Sequence, residues 1–177
     1  MPFMASAFIG LGSNINPETH LAAAVRLLRE RVALTGASPV YRTPPWGVAD
    51  QAWFLNALVW VETALPPEAL LDLMQDIERK RGRVRTVRYG PRTLDLDLLD
   101  YDGIVLNTER LILPHPRMHE RGFVLVPLCD LAPSWRHPVL GRTARQLLDE
   151  IGQAQIERVA FTLPGPDAAQ GAAAPRS

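Results

Sequence analysis

The stretch GRVRTVRYGPRTLDLD, residues 82–97, decides the fold and the chemistry expected of this chain. At its end, Leu94 and Leu96 alternate with Asp95 and Asp97, which is the period of a β-strand with one apolar and one acidic face. The two aspartates then point the same way, with Cβ atoms roughly 7 Å apart. Carboxylates at that separation can hold one or two divalent ions, because paired metals in phosphoryl chemistry sit about 3.5–4 Å apart.

The first part of the stretch is strongly cationic. It contains four arginines, namely Arg83, Arg85, Arg88 and Arg92. A guanidinium group is planar, always charged and able to pair bidentately with phosphate oxygens, so these arginines suit a polyphosphate. The alternative is a solvated surface on which aspartates and arginines form salt bridges.

The whole chain is electrically balanced, with 19 basic and 19 acidic residues among 177. No global field draws it to nucleic acid or anionic lipid, so the cationic stretch favours a small anionic ligand. The single cysteine, Cys129, lies in an apolar run and predicts a buried thiol in a reducing compartment. The sequence shows neither a signal-peptide pattern nor an apolar run that could span a bilayer. We therefore expect a cytoplasmic protein without a membrane partner.

The first part of the chain predicts a strand, a helix and a second strand. Residues 3–11 are apolar on both alternating faces, as in a central strand covered on both sides. Residues 12–16 are expected to break that strand, and a helix then begins at Pro17. A second strand is expected over 37–42. The segment GLGSN before the helix lacks the Gly-Lys-Ser/Thr ending of a P-loop, so a turn is favoured there over a nucleotide site.

The next segment combines aromatic and amide side chains. Residues 54–63 alternate in the manner of a strand, with Trp46 before it and Phe54 and Asn56 within it. Flat apolar surfaces beside an amide that both donates and accepts hydrogen bonds suit a planar heterocycle. Ordinary packing, with Asn56 bonded to the backbone, is favoured when these residues are considered alone.

The later elements follow from the same kind of pattern. A second helix is expected from the prolines at 66–67 until Gly82, ahead of the strand that carries the aspartates. Residues 100–103, DYDG, predict a hairpin turn with a return strand over 104–106. His115 lies between two prolines, where it can donate to a phosphate or merely fill a turn.

Two helices and a tail complete the chain. A short helix is expected over 123–131, a small strand near His137, and a last helix over about 143–151. Residues 164–177 contain few large apolar side chains and are expected to be disordered. The remaining residues, 1–163, are expected to form a single domain.

The predicted elements run β-α-β-β-α-β with additions at the end. That order indicates an α+β protein with a ferredoxin-like, largely antiparallel core sheet whose first two helices cover one face. The later helices would cover the other face, which gives three layers, αβα.

Five motifs make the chain similar to one known family. They are GSN at 12–14, YRTPP at 41–45, FLN at 54–56, GPRTLDLD at 90–97 and PHPRMHERGF at 114–123. In this order and spacing they resemble hydroxymethyldihydropterin pyrophosphokinase, over about residues 5–150. The resemblance implies transfer of the terminal diphosphate of ATP to the hydroxymethyl group of 6-hydroxymethyl-7,8-dihydropterin, with release of AMP, in folate biosynthesis. ATP and the pterin would be its small-molecule substrates, and we expect a monomer.

The same resemblance implies roles for individual residues. Asp95 and Asp97 would be ligands of two Mg²⁺ ions, and Arg83 and Arg92 would contact the transferring group as catalytic cations. The pterin would be enclosed by Thr43, Pro44, Trp46, Phe54, Asn56, Tyr89 and Phe123. ATP would be bound by Gln75, Glu78, Arg85, Arg88, Leu98, Arg110, Ile112, His115 and Arg121. The loop between Arg83 and Tyr89 is one residue shorter than the family pattern, so either Arg85 or Arg88 can take the phosphate contact.

An RNA-binding module is the alternative from another class of protein. Ferredoxin-like sheets often present aromatic side chains to bases. The neutral net charge and the acidic pair beside the arginines argue against this alternative, so no nucleic-acid partner is expected.

Overall fold

The computed structural model describes residues 3–44, 52–82, 93–152 and 155–166. Within these ranges the strands are β1 (Ala5–Ser13), β2 (Ala33–Ala37), β3 (Tyr41–Thr43), β4 (Phe54–Thr63), β5 (Asp95–Tyr101), β6 (Leu106–Asn107), β7 (Ile112–Leu113) and β8 (Glu157–Arg158). The helices are α1 (Pro17–Arg29), α2 (Pro67–Lys80), α3 (Gly122–Leu131) and α4 (Ala144–Ile151), with a 3₁₀-helix over Met118–Glu120.

β1 lies inside the larger sheet, whose strand order is β5-β1-β4-β3-β8 with β2 also paired to β4. The pairings described in this sheet are antiparallel. β1 pairs with β4 from Ala5 opposite Thr63 to Ser13 opposite Leu55. Two β-α-β halves that interleave in this order form a ferredoxin-like fold. The fold class predicted from the sequence is therefore confirmed.

Helices cover both faces of this sheet, and each face has its own apolar core. On one face, β1 contributes alternate residues, among them Ile9 and Leu11, which pack with α1 and α2. The buried helix residues on that side recur at helical spacing and include Leu21, Val25, Leu28, Leu70, Met74 and Ile77. On the other face, Phe8 of β1 and Leu58 of β4 pack with α3 and α4. The three layers expected from the sequence are present.

β5 contains a bulge that changes which face its later residues occupy. Ile9 of β1 lies opposite Leu98, whereas the preceding Phe8 lies opposite Asp100, so Leu99 is the extra residue. Leu98 and Tyr101 consequently both belong to the core beneath α1 and α2, and Leu99 belongs to the core beneath α3 and α4. The bulge thus returns Tyr101 to the face that Leu98 occupies, which simple alternation would not do.

The second strand predicted over 37–42 is wrong in its limits. α1 ends at Arg29, β2 already begins at Ala33, and β3 is a separate strand that begins at Tyr41. Pro39 lies in the gap between β2 and β3, and proline has no N–H for a ladder. The Ser38 hydroxyl takes part in the pairing there, since its Oγ accepts a hydrogen bond from the Leu58 N–H at 2.9 Å.

The hairpin predicted after β5 is only half right. The Ile104 N–H donates to the Tyr101 carbonyl at 3.0 Å, so the turn forms where it was expected. The return strand over 104–106 is wrong, because β6 begins at Leu106 and pairs with β7. The Thr108 N–H donates to the Leu111 carbonyl at 3.0 Å and closes this local hairpin.

The last two predicted helices are confirmed. α4 has a capping box, in which Thr143 Oγ1 accepts from the Gln146 N–H at 3.1 Å and Gln146 Oε1 accepts from the Thr143 N–H at 2.9 Å. Cys129, predicted to be buried, is half-buried in α3, and burial raises the pKa of its thiol. None of the described helices is long and apolar enough to cross a lipid bilayer.

The end of the described chain returns to the sheet. β8, which the sequence did not predict, pairs with β3 and places Arg158 opposite Tyr41. Leu163 is then buried in the core beneath α1 and α2. Most of the predicted tail, 167–177, lies outside the described residues, so the domain limit at 163 stays a prediction.

Asp100 is a buried carboxyl group near the end of β5. The residue is 4% exposed, and its Oδ2 accepts a hydrogen bond from the Gly103 N–H at 3.3 Å. Its Oδ1 is buried without a hydrogen-bond partner in the described part of the chain. Burial raises the pKa of Asp100, and the hydrogen bonds from Gly103 and the Trp135 side chain limit the rise.

We expect Asp100→Asn to change the pH dependence of stability. A carboxyl whose pKa is raised by folding contributes stability at low pH that is lost as the pH rises through the folded pKa. The amide does not titrate. Between pH 4 and pH 8, the free energy of unfolding of the variant should therefore increase relative to that of the wild type. Urea denaturation across this range measures the difference. The control is Asp149→Asn, at an exposed residue of α4, and a difference for Asp100→Asn that stays constant with pH would contradict the prediction.

Candidate functional site

On the sheet face beneath α3, part of β1 exposes bare backbone because it carries glycines. Gly10 and Gly12 of β1 lie opposite Asp97 and Asp95 of β5, respectively. On the other edge of β1, Gly12 lies opposite Asn56 of β4. Because glycine has no side chain, this strip of β1 is open, and a cavity lined by all five residues lies over it. Strand register thus places the two carboxylates and the carboxamide on opposite sides of one cleft.

The carboxylates of Asp95 and Asp97 share one face of β5, as the alternation in the sequence predicted. Both residues are half-buried, while Leu96 between them is buried in the opposite core. The described residues contain no group of three or more His, Cys, Asp or Glu that could hold a metal. Mg²⁺ nevertheless fits this donor set, because it is commonly bound by one or two carboxylates together with waters and substrate phosphates.

His115 is held beside β5 by its backbone. Its N–H donates to the Leu99 carbonyl at 2.9 Å. Its Nδ1 accepts a hydrogen bond from the Arg117 N–H at 3.2 Å, so the neutral imidazole carries its proton on Nε2. Burial and the charge of Arg121 lower the pKa of His115 to about 4, against the opposing effect of Asp95. His115 is therefore a neutral N–H donor at physiological pH.

Arg121 and Phe123 stand at the start of α3. The Arg121 guanidinium carbon lies 5.6 Å from the centroid of the Phe123 ring. Phe123 lines the same cavity as the carboxylates and Asn56, and the charge of Arg121 acts on His115. A cation, an aromatic ring and a neutral donor therefore flank the cleft.

The carboxamide of Asn56 has a defined orientation. Its Nδ2 donates to Thr43 Oγ1 at 2.8 Å, and both residues are buried. Thr43 lies opposite Phe54 in the β3–β4 pairing, and Pro44 follows it; Phe54 and Pro44 are half-buried. Four residues predicted for a planar ligand are therefore adjacent. Within the described part of the chain, the Asn56 amide donates to a side chain, whereas simple packing favoured a backbone partner.

The residues predicted on the ATP side form several separate groups. Arg110 donates to Gln75 Oε1 at 3.2 Å and forms ion pairs with Asp72 and Glu68, so it is bound to α2. Ile112 lines another cavity, together with His115. The structure thus brings Gln75 and Arg110 together, and it brings Ile112 and His115 together in the lining of a second cavity.

Two further residues of the predicted ATP side have structural contacts. Glu78 is 7% exposed, and its Oε2 accepts a hydrogen bond from the Leu96 N–H at 2.7 Å. Leu98 is buried in the core beneath α1 and α2. In this structure both stabilise β5, which carries the carboxylates.

Six predicted site residues lie outside the described parts of the chain. They are Trp46, Arg83, Arg85, Arg88, Tyr89 and Arg92. Their roles stay sequence-based predictions.

The sequence interpretation missed Gly10 and Gly12 as parts of the site. β1 continues to Ser13, so the sequence interpretation placed the end of this strand too early, at residue 11. Neither glycine has a positive φ, so neither acts as a turn residue. The available signal was their spacing of two, which places both on one face of a strand and matches the spacing of the aspartates.

The fold and the cleft together define a class of protein, a ferredoxin-like α+β protein whose cleft is lined by two carboxylates, a carboxamide and an aromatic ring. Comparison with known proteins specifies the class further. The family model for 7,8-dihydro-6-hydroxymethylpterin-pyrophosphokinase (HPPK) matches residues 8–133. This chain belongs to that family.

Individual relatives agree with this membership. The chain is 46% identical, over 88% of its length and 99% of the relative, to the 2-amino-4-hydroxy-6-hydroxymethyldihydropteridine pyrophosphokinase of Methylorubrum extorquens. It is 52% identical to the Bacillus subtilis protein of the same name, over 71% of this chain and 77% of the relative. The crystal structure of wild-type Plasmodium falciparum HPPK-DHPS has a TM-score of 0.67 at 17% identity, over 84% of this chain and 45% of that one. That likeness supports the fold, and this chain spans less than half of the solved protein.

We expect the His115 imidazole to titrate far below the usual range for histidine. Its burial and the neighbouring Arg121 oppose protonation in the folded state, so stability is lost as the pH falls from about 6.5 towards the folded pKa. A pH titration of the histidine Cε1–H signals by NMR measures this, with the His115 signal assigned by its loss in His115→Gln. A midpoint near 4 is expected, and a midpoint at or above 6.5 would contradict the prediction.

Proposed function

We propose that this protein transfers the terminal diphosphate of ATP to the hydroxymethyl group of 6-hydroxymethyl-7,8-dihydropterin and releases AMP, as a step in folate biosynthesis. Its family membership supports the reaction. The structural observation that carries the proposal is the cleft over Gly10 and Gly12, with carboxylates on one side and a carboxamide on the other. Phosphoryl transfer depends more on positioning and charge neutralisation than on covalent chemistry, and this cleft is suited to both.

Asp95 and Asp97 are the residues proposed to hold two Mg²⁺ ions. Bound there, Mg²⁺ would neutralise phosphate charge and lower the pKa of the acceptor hydroxyl. The two carboxylates hold their positions because β5 is paired with β1 and because Glu78 binds the Leu96 N–H between them. No side chain then has to act as a strong general base.

The pterin is proposed to lie on the Asn56 side of the cleft. Thr43 Oγ1 orients the Asn56 amide, which can present an acceptor and a donor to the edge of a heterocycle. Phe123 supplies a flat apolar surface for stacking. Pro44 and Phe54 lie beside Thr43, and Trp46 and Tyr89 are proposed from the sequence to complete the enclosure.

ATP is proposed to lie on the side of His115 and Arg121. The Nε2–H of His115 can donate to a phosphate oxygen without adding a charge, and Arg121 supplies a permanent charge. Arg83 and Arg92 are proposed as catalytic cations at the transferring group. The remaining proposed ATP contacts are Gln75, Glu78, Arg85, Arg88, Leu98, Arg110 and Ile112. We further propose a monomer that works in the cytoplasm on these two small molecules.

The identity of the nucleotide product, AMP or ADP, tests the proposed reaction. The protein incubated with ATP, Mg²⁺ and 6-hydroxymethyl-7,8-dihydropterin should form AMP and the pterin diphosphate in equal amounts, because both terminal phosphates move together. Anion-exchange chromatography separates AMP from ADP. Omission of the pterin is the control and should leave ATP intact. ADP as the nucleotide product would refute diphosphate transfer.

Substitution of one carboxylate tests the metal assignment. Asp97→Ala should lower kcat by at least about 100-fold, because charge stabilisation at the transferring group is lost. Binding of the pterin in the presence of a non-hydrolysable ATP analogue should persist, since Asn56 lies on the other side of β1. Steady-state kinetics and calorimetric titration measure the two effects. Asp76→Ala, at a residue of α2 that pairs with Arg79 and Lys80, is the control and should keep wild-type turnover. Near-normal turnover of Asp97→Ala would refute the assignment.

A further inference from the structure

We propose that Gly12 is a positioning residue that sets the place of the Asn56 carboxamide and thereby the affinity for the planar substrate. This inference rests on the proposed function, because it assigns a role within the same cleft. A Cβ atom added at Gly12 would lie 2.9 Å from Asn56 Oδ1, and the next nearest atom, the Leu55 carbonyl oxygen, would be 3.9 Å away. The amide oxygen of Asn56 therefore occupies the space that any other residue at position 12 would need.

The amide cannot simply turn away from an added methyl group. Its Nδ2 is bound to Thr43 Oγ1 at 2.8 Å, and Thr43 is itself buried. Movement of Oδ1 by a few tenths of an ångström rotates the whole planar group, which either strains this hydrogen bond or tilts the edge presented to the ligand. Buried hydrogen bonds depend on distance and angle, so both results weaken recognition.

The backbone does not require glycine at position 12. Gly12 lies inside β1 and has no positive φ, so alanine can adopt its conformation. Gly10, two residues earlier on the same face, provides the contrast: its added Cβ would make an ordinary contact with Leu99 Cδ1 at 3.5 Å. The need for glycine at position 12 therefore comes from the Asn56 amide and not from strand geometry.

Gly12 also separates the two halves of the cleft. It lies opposite Asn56 on one edge of β1 and opposite Asp95 on the other. Neighbouring strands are about 4.8 Å apart, so the carboxamide and the carboxylate start from backbones roughly 10 Å apart. The bare backbone of Gly12 leaves this path open for a substrate whose heterocycle is held at Asn56 and whose hydroxyl reaches the carboxylates.

Gly12→Ala should weaken binding of 6-hydroxymethyl-7,8-dihydropterin by about 10- to 100-fold, the effect of one or two impaired hydrogen bonds. Binding of a non-hydrolysable ATP analogue in the absence of the pterin should stay within about twofold, because the ATP side does not use Asn56. Calorimetric titration measures both. The matched control is Gly36→Ala in β2, whose added Cβ would contact Leu131 Cδ2 at 3.4 Å, outside the cleft. The control should bind the pterin like the wild type.

A double-mutant cycle distinguishes an action through Asn56 from general damage. Asn56→Ala removes the group that the methyl would meet, so Gly12→Ala should cost nothing further in that background. Independent, multiplicative losses would overturn the proposal. If Gly12→Ala alone does not fold, the double variant should fold, and failure of both would also overturn it.

One measurement does not depend on the reaction at all. The Asn56 side-chain amide signals, assigned by their absence in Asn56→Ala, should shift in the ligand-free Gly12→Ala protein and stay unchanged in Gly36→Ala. Unchanged signals in Gly12→Ala would refute the role of Gly12 even if the enzyme makes AMP. Conversely, a wild-type protein that makes no AMP would refute the proposed function, and the shift would still decide the role of Gly12.

Discussion

The antiparallel register of β1 with both neighbouring strands is the constraint on which the rest of the structure depends. β1 bonds β4 along one edge and β5 along the other, so Gly12 faces Asn56 and Asp95 at the same time. Side chains alternate along a strand, so a slip by one residue would exchange the faces of the whole strand. In β5 such a slip would bring the carboxylates into the core and Leu96 into the cleft. The stability of the fold and the geometry of the site therefore have the same physical origin.

The bulge in β5 connects this register to the position of His115. It separates Leu98 from Tyr101 by an extra residue, so Tyr101 still faces the core, where its hydroxyl donates to the Leu65 carbonyl at 2.8 Å. The carbonyl of the bulged residue, Leu99, accepts the His115 N–H at 2.9 Å. Bulges commonly re-aim chain segments beside active sites. Here one irregularity retains the packing of β5 and positions a neutral hydrogen-bond donor near Asp95.

Local patterns in the sequence predicted those parts of the molecule that depend on nearest neighbours. The alternation of Asp95 and Asp97 with leucines fixed their face, and helical spacing located α1 and α2. Pairing between distant segments has no local period, which is why β8 escaped prediction. β6 and β7 pair locally, but each contains only two residues, which is too short to show an alternating pattern. Gly12 was assigned to the break after the first strand, and a turn was favoured for GLGSN because the segment lacks a P-loop ending. The meaning of the β1 glycines depends on Asn56 and the aspartates, which are distant in sequence. Asn56 itself became a site residue through the resemblance of its motif, since simple packing was favoured from its neighbours alone.

The cleft opens at one end of β1 because the side chains on that face of the strand become smaller along its length. Phe8 packs against Trp60 and Trp135, with ring centroids 5.0 Å and 6.3 Å away. Two residues later Gly10 and then Gly12 contribute no side chain. A glycine inside a strand costs roughly 0.5–1 kcal/mol relative to alanine, whereas burial of one phenylalanine side chain contributes about 1.5–3 kcal/mol. The free energy gained by burying Phe8 therefore offsets the cost of the two glycines. α3 and α4 can pack on the sheet around Phe8, and the glycines leave the space beside Phe123 open for a ligand.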